Sequence, residues 1–100
     1  MYLKIFNFED FGYEKDALNS KVILENGDSK IILFALKKNQ ILEKHKSPVD
    51  AAVFVLKGEI EFHDEQKSLN IKGGEMIIEH ADNEHYVKAI KDSKFIVVRI

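Results

Sequence analysis

One hundred residues, 45% of them hydrophobic and none of them cysteine, describe one folding unit without disulfides, thiolate metal sites or cysteine nucleophiles. Fifteen basic against seventeen acidic residues leave a formal charge of -2, so no basic field marks the chain as a nucleic-acid binder. The longest apolar runs, "IILFAL" and "AAVFVL", are far too short to cross a bilayer, and "MYLKIFNFED" meets charge before any apolar signal segment develops. The expectation is a soluble cytoplasmic domain with neither nucleic acid nor membrane as partner.

In chain order, short apolar bursts rich in β-branched and aromatic residues alternate with turn-forming clusters. The pattern predicts strands at residues 2–6, 21–25, 30–37, 52–57, 59–63, 68–72, 75–79, 85–90 and 95–100, with a helical turn at 14–18 in the otherwise unpatterned stretch "NFEDFGYEKDALNS". Asn26-Gly27 predicts a two-residue hairpin of type I′, Gly27 supplying the positive φ. In "EIEFH" Ile60 and Phe62 face one way and Glu59, Glu61 and His63 the other, which predicts a strand buried on one side. Regular short strands of this kind predict an all-β, antiparallel sandwich or barrel in a single domain, with no linker and no internal repeat.

Two histidines stand at informative places. His45 lies in the polar approach to the run that ends at Gly58, and His85 opens "HYVKA", where alternation groups it with Val87 and Ala89 on an apolar face. Taken with their surroundings, these segments resemble the cupin superfamily, whose motifs are written G-x5-H-x-H-x3,4-E-x6-G and G-x5-P-x-G-x2-H-x3-N. The first motif runs from Asn39 through His45, Ser47 and Ala51 to Gly58; the second runs from Gly74 through His80, Asp82 and His85 to Ala89; all spacings are preserved. Fifteen residues separate Gly58 from Gly74, and "ILFALKKNQILEKHKSPVDAAVFVLKGEIEF" with "IKGGEMIIEHADNEHYVKAI" is similar to small bacterial cupins of the Cupin_2 type. The resemblance covers residues 21–100 and implies a double-stranded β-helix, the jelly-roll barrel. It leaves residues 1–20 as an amino-terminal arm, suited to exchange in a homodimer.

In that superfamily the two histidines and the glutamate of the first motif join the histidine of the second around a divalent transition metal. Here Ser47 replaces the second histidine and Ala51 the glutamate, so the resemblance implies a degenerate site holding His45 and His85. His80, five residues before His85, is a candidate third ligand if it shares an inner face with Met76 and Ile78; Glu79, on the opposite face by the same alternation, is the weaker candidate. The bland reading of His80 is a loop residue facing solvent, that of His63 a surface residue, and that of Asp50 a turn former. Two functional classes follow. In the first, His45, Ser47 and His85 orient a small apolar or carboxylated ligand without chemistry. In the second, a small enzyme of dioxygenase, isomerase or lyase type uses zinc, iron, manganese or nickel held by His45, His85 and His80. Either histidine alone has an ordinary pKa suited to proton transfer. The segments "KIILFAL" and "KFIVVRI", apolar on both faces, predict a homodimer.

Overall fold

Asn26 and Ser29 face each other across a two-residue turn, and from this hairpin onward strands alternate with short turns and no helix intervenes. The structure, a computed structural model, describes residues 3–100. Nine strands follow one another: β1 (Asn19–Asn26), β2 (Ser29–Leu36), β3 (Ile41–His45), β4 (Ala51–Lys57), β5 (Glu59–Asp64), β6 (Ser68–Lys72), β7 (Met76–Glu79), β8 (His85–Ala89) and β9 (Ser93–Arg99). They form two antiparallel sheets, one of order β1-β2-β9-β4-β7 and one of order β3-β8-β5-β6, packed as a jelly-roll barrel that hydrogen bonds do not close. No helix among the described residues is long and apolar enough to cross a membrane.

Four expectations need correction. The expected first strand is absent: residue 2 lies outside the described residues, and 3–6 are not strand. Residues 14–18 form a bend without helix, and the only turn of 3-10 helix among the described residues is at Phe8–Asp10, capped by Asn7, whose side chain accepts from the Glu9 N–H at 2.9 Å. The strand β3 was not predicted, because "ILEKH" carries two charges in five residues; it lies at a sheet edge, where such residues reach water. The first hairpin turns at Gly27-Asp28 rather than Asn26-Gly27. Only its first central residue has positive φ (Gly27, 63°), which matches type II′ rather than I′.

The two sheets are held together by Phe34, Leu36, Val53, Val55, Ile60, Phe62, Val87 and Phe95, which alternate inward along their strands. Phe34 and Phe95 stack at 5.1 Å between centroids at the centre of the five-stranded sheet. Burying each such side chain contributes about 1.5–3 kcal/mol. On the outer face of that sheet lies the amino-terminal arm. Lys94, the cross-strand partner of Ala35, is 6% exposed and donates from Nζ to the Phe8 carbonyl at 2.9 Å; Gln40 Nε2 donates to the Glu14 carbonyl at 3.0 Å and Asn19 Nδ2 to the Gly12 carbonyl at 2.8 Å.

The four glycine positions of the two motifs share one conformation whatever residue fills them. Gly58 and Gly74 have φ of 89° and 91°, while Asn39 and Asp82, standing in for glycine, have 75° and 64°. Asn and Asp are among the few side-chain residues that enter the left-handed region readily. The turns that aim His45 and His85 therefore survive both substitutions.

Candidate functional site

The site is built where β3 and β8 pair. His45 and His85 are direct cross-strand partners, and β8's burial alternates so that His85, Val87 and Ala89 face inward. Their rings meet edge to face at 4.2 Å between centroids, and His85 also stacks on Phe62 from β5 at 4.9 Å. His85 is 3% exposed and His45 half-buried. Both help line an interior cavity of about 20 Å³, room for roughly one water, together with Ser47, Glu79 and Arg99.

Each ring is fixed from its Nδ1 side. His45 Nδ1 donates to the Glu43 carbonyl at 2.7 Å, and His85 Nδ1 to the Asn83 carbonyl at 3.0 Å. Neither Nε2 has a protein hydrogen-bond partner among the described residues, so both are left for the cavity. Glu79 Oε2 lies 2.9 Å from His85 Nδ1, yet that N–H is aimed at Asn83; the contact is ionic, and Oε2 is buried without a hydrogen bond. Glu79 itself is 5% exposed.

Glu79 is the residue that sequence pattern placed on the wrong face. In "EMIIEH" both phases of the alternation are apolar, so the pattern does not choose between them. The fold does: Ile77 and Glu79 turn inward, and Met76 and Ile78 lie outward at 47% and 64% exposure. His80 falls beyond the end of β7, its side chain 89% exposed and 3.7 Å from Asp50, and it does not join His45 and His85. A signal was available in the pairing: Glu79 is the cross-strand partner of Ala51, the position at which the motif's glutamate is missing. Arg99 was also missed, although Phe95, Val97 and Arg99 form the inward series of β9. His63 lies on the outer face of the four-stranded sheet, 3.0 Å from Glu61 and stacked on Tyr86. Asp50 ties two loops together by accepting from the Ala81 N–H at 2.8 Å.

A three-ligand metal centre does not fit these donors. Ser47 Oγ donates to the Val49 carbonyl at 2.6 Å, Ala51 offers only a methyl group, and His80 is elsewhere. Glu79 touches His85 at the nitrogen that already carries the proton, on the far side of the ring from Nε2. No group of three or more histidine, aspartate or glutamate side chains among the described residues is arranged to hold a metal ion, where a catalytic site generally needs about three protein ligands.

The two imidazoles differ in basicity. Burial pushes His45 below its ordinary value; the Glu43 carbonyl offsets this in part, and the charge of neighbouring His85 pushes it lower. Burial acts on His85 in the same sense, but the Glu79 carboxylate and the Asn83 carbonyl together outweigh it, and its pKa lies above the ordinary value. Between the two values His85 carries a proton that His45 lacks. The cavity then presents a neutral acceptor, a charged donor, and a guanidinium that makes no ion pair among the described residues.

No protein-family model matches the chain, and no curated protein matches it. Solved structures do. The chain is similar to a conserved protein of unknown function from Streptococcus pyogenes, with 27% identity and a TM-score of 0.84 over 99% of this chain and 89% of the other. It is similar to a Cupin 2 conserved barrel domain protein from Leptotrichia buccalis, with 26% identity and a TM-score of 0.86 over 92% of this chain and 45% of the other. An RmlC-like cupin protein from Desulfovibrio desulfuricans matches at 24% identity with a TM-score of 0.86, over 97% of this chain and 95% of the other. With two motifs in register, four left-handed motif turns and these structural neighbours, the chain has the fold of the small cupins and is similar to Cupin_2 and RmlC-like proteins.

Proposed function

We propose that the barrel binds a small organic molecule, with His45 and His85 orienting its polar head through their Nε2 atoms. One observation carries the reading: both rings are anchored at Nδ1 by backbone carbonyls, and both Nε2 atoms are left without a protein partner beside a cavity. Anchored rings, one presenting an acceptor and the other a donor at Nε2, recognise a ligand at little cost in side-chain entropy. Ser47, expected to share in recognition, lines the cavity but spends its hydroxyl on Val49, so its role is to shape the wall. The metal-dependent enzyme lacks a third donor. A proton-transfer enzyme is the second reading, favoured by the opposed basicities of the two rings.

The test is a fragment set of small acids, alcohols and amides, followed through the ring nitrogen resonances of both histidines. The expected result is that some fragments move both Nε2 signals and that His85→Ala removes their binding with the circular dichroism spectrum unchanged. A set that leaves both rings unmoved overturns the proposal.

A further inference from the structure

The histidine chamber, at about 20 Å³, admits one functional group and no more. A larger space adjoins it. Edge strands β6 and β7 belong to different sheets, and between them opens a cleft of about 240 Å³ whose walls include Phe62, Leu69, Ile77 and Glu79. Phe62 and Glu79 line both spaces, so one ring and one carboxylate form the shared wall. Asn83, whose carbonyl holds His85, borders the cleft as well.

The charges are distributed unevenly between the two spaces. In the chamber, Glu79 is engaged by His85, whereas Arg99 has no ion-pair partner among the described residues, and its charge disfavours protonation of both histidines. An anionic head placed there meets a guanidinium and the Nε2–H of protonated His85, the pairing that guanidinium geometry suits best. In the cleft Phe62, Leu69, Ile77 and Ile78 form an apolar strip, with Lys67, His80 and Asn83 at its polar margin. The one carboxylate of the cleft besides Glu79, Asp64, is occupied by the Gln66 and Lys67 N–H groups at 2.8 Å each. A body packed against Phe62, Leu69 and Ile77 would be hydrocarbon.

We propose that the β6–β7 cleft is a second subsite of the same ligand, and that the ligand is a short monocarboxylate: one carboxylate oxygen enters the histidine and Arg99 chamber while an apolar chain or ring fills the cleft. The assignment rests on the chamber being a ligand site, and it adds the class of ligand and the place of its body.

Hexanoate, acetate and hexylamine are titrated into the unmodified chain, with the histidine ring nitrogens reporting the chamber and the Leu69 and Ile77 methyl groups the cleft. Hexanoate should move both sets and bind about tenfold or more tighter than acetate, since several methylenes leave water. Leu69→Arg should cancel that advantage and leave acetate unaffected; Leu69 is 42% exposed, so the substitution spares the core. If Leu69→Arg fails to fold, the hexanoate-to-acetate ratio on the unmodified chain decides. Equal affinities with only the ring nitrogens moving overturn the cleft and leave the ligand-binding reading standing. Hexylamine binding as well as hexanoate overturns the carboxylate class. Movement of neither ring by either acid overturns the reading on which both rest.

Discussion

Glu79 sits 2.9 Å from His85 Nδ1 and raises that imidazole's pKa against the pull of burial, while at His45 burial outweighs the weaker influence of the same carboxylate and the pKa is lowered. The two shifts act on stability with opposite sign. His85, raised when folded, contributes stability that is fully present below its unfolded value of about 6.5 and is lost as pH rises through the folded value. His45, depressed when folded, contributes stability present above about 6.5 and lost as pH falls through its folded value. In the unmodified chain the contributions offset one another on acidification. Glu79→Gln removes the carboxylate that raises His85, so burial then lowers both rings and nothing offsets the acid-side loss. Urea midpoints at pH 7.5 and 5.5 should therefore separate much further for Glu79→Gln than for the unmodified chain; equal separations would falsify the role given to Glu79. At this scale the convergence of His45 and His85 was legible, because motif spacing fixes which strands pair and alternation fixes which way His85 points. Glu79 was not legible from alternation alone. Its neighbours Met76, Ile77 and Ile78 are apolar in both phases, and the choice between them is made by the apolar outer surface of the sheet, a tertiary fact.

The connection between β4 and β5 is a single residue, Gly58, and its surroundings explain why. A methyl group there would run into Ser93 Oγ and the Asp92 carbonyl; Ser93 Oγ in turn accepts from the Glu59 N–H at 3.0 Å and holds the start of β5 against β9. Gly74, at nearly the same φ, faces open space. Gly74→Ala should cost roughly 1–3 kcal/mol from backbone strain alone. Gly58→Ala should cost distinctly more, since neighbouring backbone must also move. Equal losses in denaturant melts would show that the close approach to β9 is unimportant. In the centre of the sheet, Phe95 is fully buried and stacked on Phe34, so Phe95→Ala should cost about 3–5 kcal/mol by the same measurement. A loss under 1 kcal/mol would mean that the core closes over the gap. Strands with clear alternation, such as β5 and β8, were legible to within a residue or two. The edge strand β3 was hidden by its charges, and the amino-terminal arm by a conformation that depends on distant anchors such as Lys94 and Gln40.

The outer face of the five-stranded sheet poses the remaining problem of the whole molecule. Ile31, Phe54, Leu56, Ile96 and Val98 line a groove of about 430 Å³ there, bordered by Phe6 and Phe8 of the arm, and every side chain that lines it is apolar. Phe54 is 42% exposed and Leu56 39%, and outward Met76 and Ile78 of β7 extend the same face. Monomers rarely leave so continuous an apolar surface to water. A two-fold pairing of this face satisfies it on both copies at once, because an isologous contact uses one patch twice, and a stable pair needs about 800 Å² from each partner. The arm is part of the same surface, since Lys94 and Gln40 hold it against its own sheet while Leu3 and Ile5 stay 83% and 95% exposed. The expected outcome is therefore a homodimer, with light scattering at micromolar concentration giving twice the chain mass of 11.5 kDa. Phe54→Glu should return the single-chain mass with the strand signature in circular dichroism unchanged, because the charge enters an exposed position of the sheet and leaves the inner core intact. Histidine ring resonances should be the same in both forms, as the chamber opens on the other face of the same strands. An unmodified chain that scatters as 11.5 kDa would leave the face uncovered and would rule out pairing through it.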